Sequence, residues 1–199
     1  MSFMYLAVED ELSEVVGIRI VREYLGNDVS IKVLRKNGFG YLKSKIANFA
    51  EISERYAVFM ITDLDRENCA PSLKLKWFNG LQLPENLIFR VAVKEIEAWL
   101  LADAPQLSHF LGIQQRAIPR NVETIEDPKA ALVDVAKRAK RNLRMDIVPD
   151  SQTKAKQGLG YNRALRPFVE SNWDVNYAAQ NSDSLRRACL RVAELAERI

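Results

Sequence analysis

Residues 57–65 read Ala57-Val58-Phe59-Met60-Ile61-Thr62-Asp63-Leu64-Asp65, an almost wholly apolar stretch that ends in two carboxylates one residue apart. A short run of this kind, without alternation, predicts a strand covered on both faces, as parallel strands flanked by helices are. Upstream, the apolar run Phe3 to Val8 halts at Glu9-Asp10-Glu11, and Ser13 to Tyr24 then spaces Val15, Val16, Ile18, Ile20, Val21 and Tyr24 over one helical face. Gly26-Asn27-Asp28 breaks that helix, Val29 to Leu34 alternates as a strand, Asn37-Gly38-Phe39-Gly40 turns, and Leu42 to Arg55 returns to helical spacing. Downstream, Leu73 to Phe78 reads as a helix, Leu87 to Val93 as a fourth strand and Glu95 to Ala102 as the helix behind it. The order β-α-β-α-β-α-β predicts an α/β fold with a parallel sheet flanked by helices and joined by right-handed crossovers.

After Asp103 the pattern changes to helices and loops: Pro105 to Leu111, Pro128 to Arg141, Arg163 to Glu170 and Ser184 to Arg198, with a polar stretch from Asp150 to Lys156 and Gly158-Leu159-Gly160 in between. The expected organisation is an α/β core over 1–104 and a C-terminal helical extension over 105–199 packed on it, with one single domain as the alternative.

Composition excludes several classes. No apolar run approaches the roughly 20 residues of a membrane span, and Met1 to Val8 has no basic region before its apolar stretch, so a cytoplasmic protein is expected. Two cysteines, Cys69 and Cys189, without metal-ligand spacing, and a lone His109 indicate neither a disulfide framework nor a zinc site. His109 reads as a surface or half-buried helix residue. The net charge of +3, from 29 basic and 26 acidic residues, is too small to choose a partner. G-x-S-x-G, G-x-x-x-x-G-K-[ST] and G-x-G-x-x-G are all missing from the sequence.

What remains is carboxylate chemistry at strand ends, where open α/β sheets bind ligands. Glu9 follows the first strand, and Asp63 and Asp65 follow the third; if those strands are neighbours, the three acids share one space suited to Mg²⁺, which takes hard oxygen ligands. Strand alternation would send Asp63 and Asp65 to the same side. The competing reading is that all three acids cap the helices that follow.

Tyr5-Leu6-Ala7-Val8-Glu9 together with Val58 to Asp65 resembles the Toprim domain of topoisomerases, primases and overcoming-lysogenization-defect nucleases. The resemblance covers the first half of the chain. It implies that Glu9, Asp63 and Asp65 hold Mg²⁺, or Mn²⁺, for phosphodiester chemistry. The family carries Gly after the glutamate, where Asp10 stands here. A narrower resemblance rests on Val93-Lys94-Glu95-Ile96-Glu97-Ala98-Trp99-Leu100-Leu101-Ala102-Asp103, Asp127-Pro128-Lys129, Gly160-Tyr161-Asn162 and Asn181-Ser182-Asp183-Ser184-Leu185. These are similar to a bacterial Toprim-related family expected to act beside an ATPase in phage defence, in which a histidine stands where Lys94 does here.

Glu95 or Glu97 could complete the acidic pocket as a ligand or as the base that activates water, and Glu97 joins Glu9, Asp63 and Asp65 in the expected catalytic set; Trp99 and Leu100 are expected to pack on the sheet. The basic groups at Lys137, Arg138, Lys140, Arg141 and Arg144 suit either nucleic-acid phosphates or a solvated helix face. Lys156 beside Gly158-Leu159-Gly160 is the leading candidate for a substrate phosphate, with Tyr161, Asn162 and Arg163 as further substrate contacts. The expectation is therefore a Mg²⁺-dependent nuclease acting on nucleic acid. The alternative is a non-catalytic subunit that binds an ATPase through its helical half, with an oligomer compatible with either.

Overall fold

The computed structural model describes residues 3–35, 40–196 and 198; the expected turn over 37–40 lies outside these except for Gly40. Four strands, β1 (Phe3–Val8), β2 (Ser30–Arg35), β3 (Ala57–Asp63) and β4 (Leu87–Ala92), form one sheet in the order β2-β1-β3-β4, every pair parallel. The crossovers carry α1 (Glu11–Leu25), α2 (Tyr41–Ser44), α3 (Ile46–Ser53) and α4 (Ala70–Phe78). The predicted α/β architecture with helices on both faces is the one observed. β3 is central, and Ala57 to Thr62 are all buried, which is why that stretch shows no polar alternation.

The two faces of the sheet bury different sets. Tyr5, Ala7, Val58, Met60, Phe89 and Val91 pack under α2, α3 and α4, whereas Met4, Leu6, Val8, Phe59, Ile61 and Ile88 pack under α1 and the second half of the chain. That half comprises α5 (Glu97–Leu101), α6 (Ala104–Leu111), α7 (Pro128–Ala136), α8 (Arg141–Ile147), α9 (Tyr161–Ser171), α10 (Val175–Asn181) and α11 (Asp183–Ala196). Trp99, Leu165, Phe168 and Trp173 are almost wholly buried in the same apolar cluster as Val16 and Ile20, so the extension and the sheet share one core.

Aspartates start four of the helices, α1, α6, α7 and α10. Asp10, Asp103, Asp127 and Asp174 each accept a backbone N–H three residues on, at 2.7, 3.2, 2.8 and 2.9 Å, which satisfies an N–H with no partner inside the helix. Two predicted helices are each split. Lys45 (φ −111°, ψ 10°) separates α2 from α3. The Pro128–Arg141 helix ends at Ala136, because Lys140 takes extended backbone and donates its N–H to the Leu111 carbonyl at the end of α6. No described helix is long and apolar enough to cross a membrane.

Candidate metal centre

β1 and β3 are direct neighbours, with Ala7 opposite Met60, so two residues further on Glu9 comes beside Thr62. The Thr62 hydroxyl donates to Glu9 Oε1 at 2.9 Å. Asp63 sits one residue later and on the other face, toward the helical extension, where its Oδ1 accepts the Ile96 N–H at 2.9 Å. Backbone bonds hold the two loops together: Leu64 N–H donates to the carbonyls of Ala92 and Lys94, and Asp65 N–H donates to Lys94 as well. The strand stops at Asp63, and Asp65 has φ 51°, in the left-handed region. Alternation therefore does not extend to Asp65, whose placement is set by this turn and not by the strand pleat from which it was expected.

Electrostatics links these acids. Burial holds the Asp63 carboxyl well above its ordinary range, and the charges of Glu97, Asp10 and Asp65 push it further, against the pull of Lys129. Burial also raises Glu9, with Asp65 and Asp10 adding to it and the Thr62 hydrogen bond opposing. Asp10 thus serves twice, as the N-cap of α1 and as a charge on this end of the sheet.

Glu97 lies deepest, 1% exposed at the start of α5. Burial pushes its carboxyl up to about 7, against the opposing influence of Lys129. Its Oε1 accepts the Tyr161 hydroxyl at 3.0 Å and lies 3.5 Å from Lys129 Nζ, while Oε2 is buried without a hydrogen-bond partner. Such an orphan is costly unless a cation or a proton satisfies it. Lys129 loses to burial but gains more from Glu97, Glu95, Asp10 and Asp63, so its ammonium titrates above its usual value.

The structure separates Glu95 from Glu97. Glu95 Oε2 accepts the Lys129 N–H at 2.9 Å in the first turn of α7, a helix-start contact, and its charge acts on Glu97 and Lys129, whereas Glu97 is the one of the two that acts on Asp63. The expected substrate residues disperse. Tyr161 is buried against Glu97, Asn162 donates to Glu11 at 3.4 Å, and Arg163 pairs with Asp146 at 2.7 Å, none of them supporting Lys156. Exposed Lys156 lies 3.8 Å from Asp127. Gly158 and Gly160 pack on Asp146, whose atoms would collide with a Cβ at either position. The other motif residues act as struts: Trp99 Nε1 donates to Ser184 Oγ at 2.8 Å, and Glu123 receives both the Ser182 hydroxyl and the Ser184 N–H, at 2.7 and 2.6 Å. His109 is exposed on α6, and Lys94 pairs with Glu126 at 3.2 Å.

Lys129 escaped sequence reasoning as a site residue; its signal was the placement of Asp127-Pro128-Lys129 at a helix start. Among the described residues, no three His, Cys, Asp or Glu side chains are grouped closely enough to chelate an ion as they stand. The donors gathered here are carboxylate oxygens, the kind a hard divalent cation takes, and one of them, Glu97 Oε2, is buried without a hydrogen-bond partner. No family model, curated protein or solved structure matches the chain.

Proposed function

We propose that the chain is a Mg²⁺- or Mn²⁺-dependent phosphodiesterase acting on nucleic acid, with its centre at the carboxyl end of β1 and β3. One observation carries this reading: at one end of the sheet burial holds the Asp63 carboxyl well above its ordinary range, and the charges of Glu97, Asp10 and Asp65 gathered around it push it further. The resemblance of Tyr5 to Glu9 and Val58 to Asp65 to the Toprim domain implies Glu9, Asp63 and Asp65 as the ligands, and Asp65, whose charge acts on both Glu9 and Asp63, is the acid that links the other two.

A bound divalent ion supplies Lewis-acid polarisation of a phosphoryl oxygen. The chain's own part is electrostatic. Thr62 orients Glu9, the Ile96 N–H orients Asp63, and Lys129 offsets the charge that remains. Glu97, with a carboxyl poised at about 7 and Oε2 free, holds or releases a proton near neutral pH, where a general base is most effective.

The test is a thermal melt of the whole chain with increasing Mn²⁺ or Mg²⁺, run on wild type and on Asp63→Asn, alongside cleavage assays on single- and double-stranded DNA and RNA. The ion is expected to raise the wild-type Tm, as any ligand of the native state does, and Asp63→Asn to abolish both the shift and the cleavage. Cleavage that survives Asp63→Asn would move the centre elsewhere. Melts indifferent to the ion, with no cleavage, would favour the non-catalytic subunit beside an ATPase.

A further inference from the structure

At the opposite end of α5 from Glu97, a groove of about 1040 Å³ opens between the α5–α6 junction, the 115–122 segment and α10. Its floor is apolar, formed by buried Ala102, Ile118 and Val122. The exposed rim carries Arg116, Arg120, Asn121, Tyr177, Gln180 and Asn181. A second groove of about 480 Å³ shares Arg116 and adds Arg138. None of the side chains lining either groove is acidic, although Asp and Glu make up 26 of the 199 residues.

Arg116, Arg120 and Arg138 form no ion pair among the described residues. Arg116 donates Nε to Gln114 Oε1 at 2.8 Å, which fixes its plane, and Asp134, the acid near Arg138, pairs with Lys137 at 2.9 Å. Other exposed arginines are neutralised locally, as Arg163 is by Asp146 and Arg186 and Arg187 are by Asp183, while Arg55, Arg66, Arg141 and Arg144 share the unpaired state among the described residues without lining either groove. Asn121, at φ 53°, turns the chain between Arg120 and Val122, so that Arg120 stands on the rim while Val122 enters the floor.

We infer that this double groove binds the backbone of a single-stranded nucleic acid, with phosphates on Arg116, Arg120 and Arg138. The amide groups of Asn121, Gln180 and Asn181 offer donors and acceptors for sugar or base edges, and Tyr177 offers a ring on which a base can stack. Guanidinium groups suit phosphate because their planar fork donates two parallel hydrogen bonds. The inference rests on the phosphodiesterase reading only for the choice of nucleic acid as ligand.

The experiment is fluorescence anisotropy of the whole chain with short labelled single-stranded DNA and RNA, in EDTA, across a salt series. Arg116→Ala/Arg120→Ala is expected to bind at least about tenfold more weakly and to flatten the slope of log K against log salt by about 1.4, the loss of two phosphate contacts. Both residues are exposed, so the melt should be unchanged; if it is not, Arg116→Lys/Arg120→Lys must retain the salt slope. Unlabelled oligonucleotide should compete, whereas inorganic phosphate and a mononucleotide at equal phosphate concentration should not. Wild-type affinity and slope in the double variant, or displacement by inorganic phosphate alone, would overturn the inference. Arg186→Ala/Arg187→Ala, which removes two arginines already paired with Asp183 outside both grooves, is expected to bind normally; a loss there equal to that of the groove variant would show that binding follows overall charge and overturn the groove. A failed metal titration leaves this binding result untouched, so the two readings fail separately.

Discussion

Glu97 couples the chemistry of the centre to the stability of the fold. Its carboxyl, raised from 4.5 to about 7, binds a proton more tightly in the native state than in the unfolded chain. The stability gained is therefore fully present below the ordinary value and is lost as pH rises through about 7, a change on the order of 3 kcal/mol. In EDTA, the Tm of wild type is expected to fall between about pH 5 and pH 8, and Glu97→Gln, which keeps the shape and the acceptor for Tyr161, should flatten that fall. Parallel curves for the two proteins would show that Glu97 does not titrate as described. Lys129 makes the complementary case, because it opposes the raised values of both Asp63 and Glu97. Lys129→Met should destabilise by about 1–3 kcal/mol above pH 7 and by less near pH 5, where Glu97 is protonated; urea melts at the two pH values check the difference.

At the scale of elements, glycines report where one segment presses on another. Gly17 on α1 faces the sheet, and a Cβ there would lie 2.7 Å from Leu6 Cδ1 and 3.1 Å from Ile61 Cδ1. Gly17→Val should cost about 2–3 kcal/mol by overpacking, read as a lowered denaturation midpoint; an unchanged midpoint would mean that α1 can lift from the sheet. Gly158 meets backbone, with a Cβ 2.8 Å from the Asp146 carbonyl carbon, so relief by side-chain rotation is not open to it. Gly158→Ala should therefore destabilise the junction between α8 and α9 and disturb the Tyr161 bond to Glu97, which would show as a changed pH dependence of the melt. The boundaries of most elements were legible from periodicity and breakers, since both act within a few residues. The break after Ala136 was not, because it depends on a bond from Lys140 to Leu111, far away in sequence. Nor was α10, a single short stretch whose buried Val175, Ala178 and Ala179 acquire an apolar face only against α11 and the distant segments α5 and α1.

For the whole molecule, the decisive fact is that the face of the sheet bearing Leu6, Phe59 and Ile61 is covered by α1 together with residues of the extension. Leu165, Phe168 and Trp173 pack in the same cluster as Val16 and Ile20, and Asp103, 1% exposed, accepts the Asp174 N–H at 2.8 Å. A fragment ending at residue 104 would expose that apolar surface and is expected to lack a cooperative thermal transition, where the full chain melts in one. A fragment that melts cooperatively by itself would show instead that the sheet is an independent folding unit. The acidic centre depends on the same packing, since Lys129 and Tyr161 come from the extension while Asp63 and Glu9 come from the sheet.

The sequence by itself determined the strands and their parallel order of travel, and it marked Glu9, Asp63, Asp65 and Glu97, because apolar runs and the carboxylates that end them are local properties of the chain. Only the tertiary structure decided that Glu97 rather than Glu95 acts on Asp63, that Lys129 and Tyr161 meet Glu97, and that Lys156 stands apart beside Asp127. Those outcomes depend on which distant segments meet, and a carboxyl's proton affinity is set by the neighbours that exclude water from it and the charges they bring.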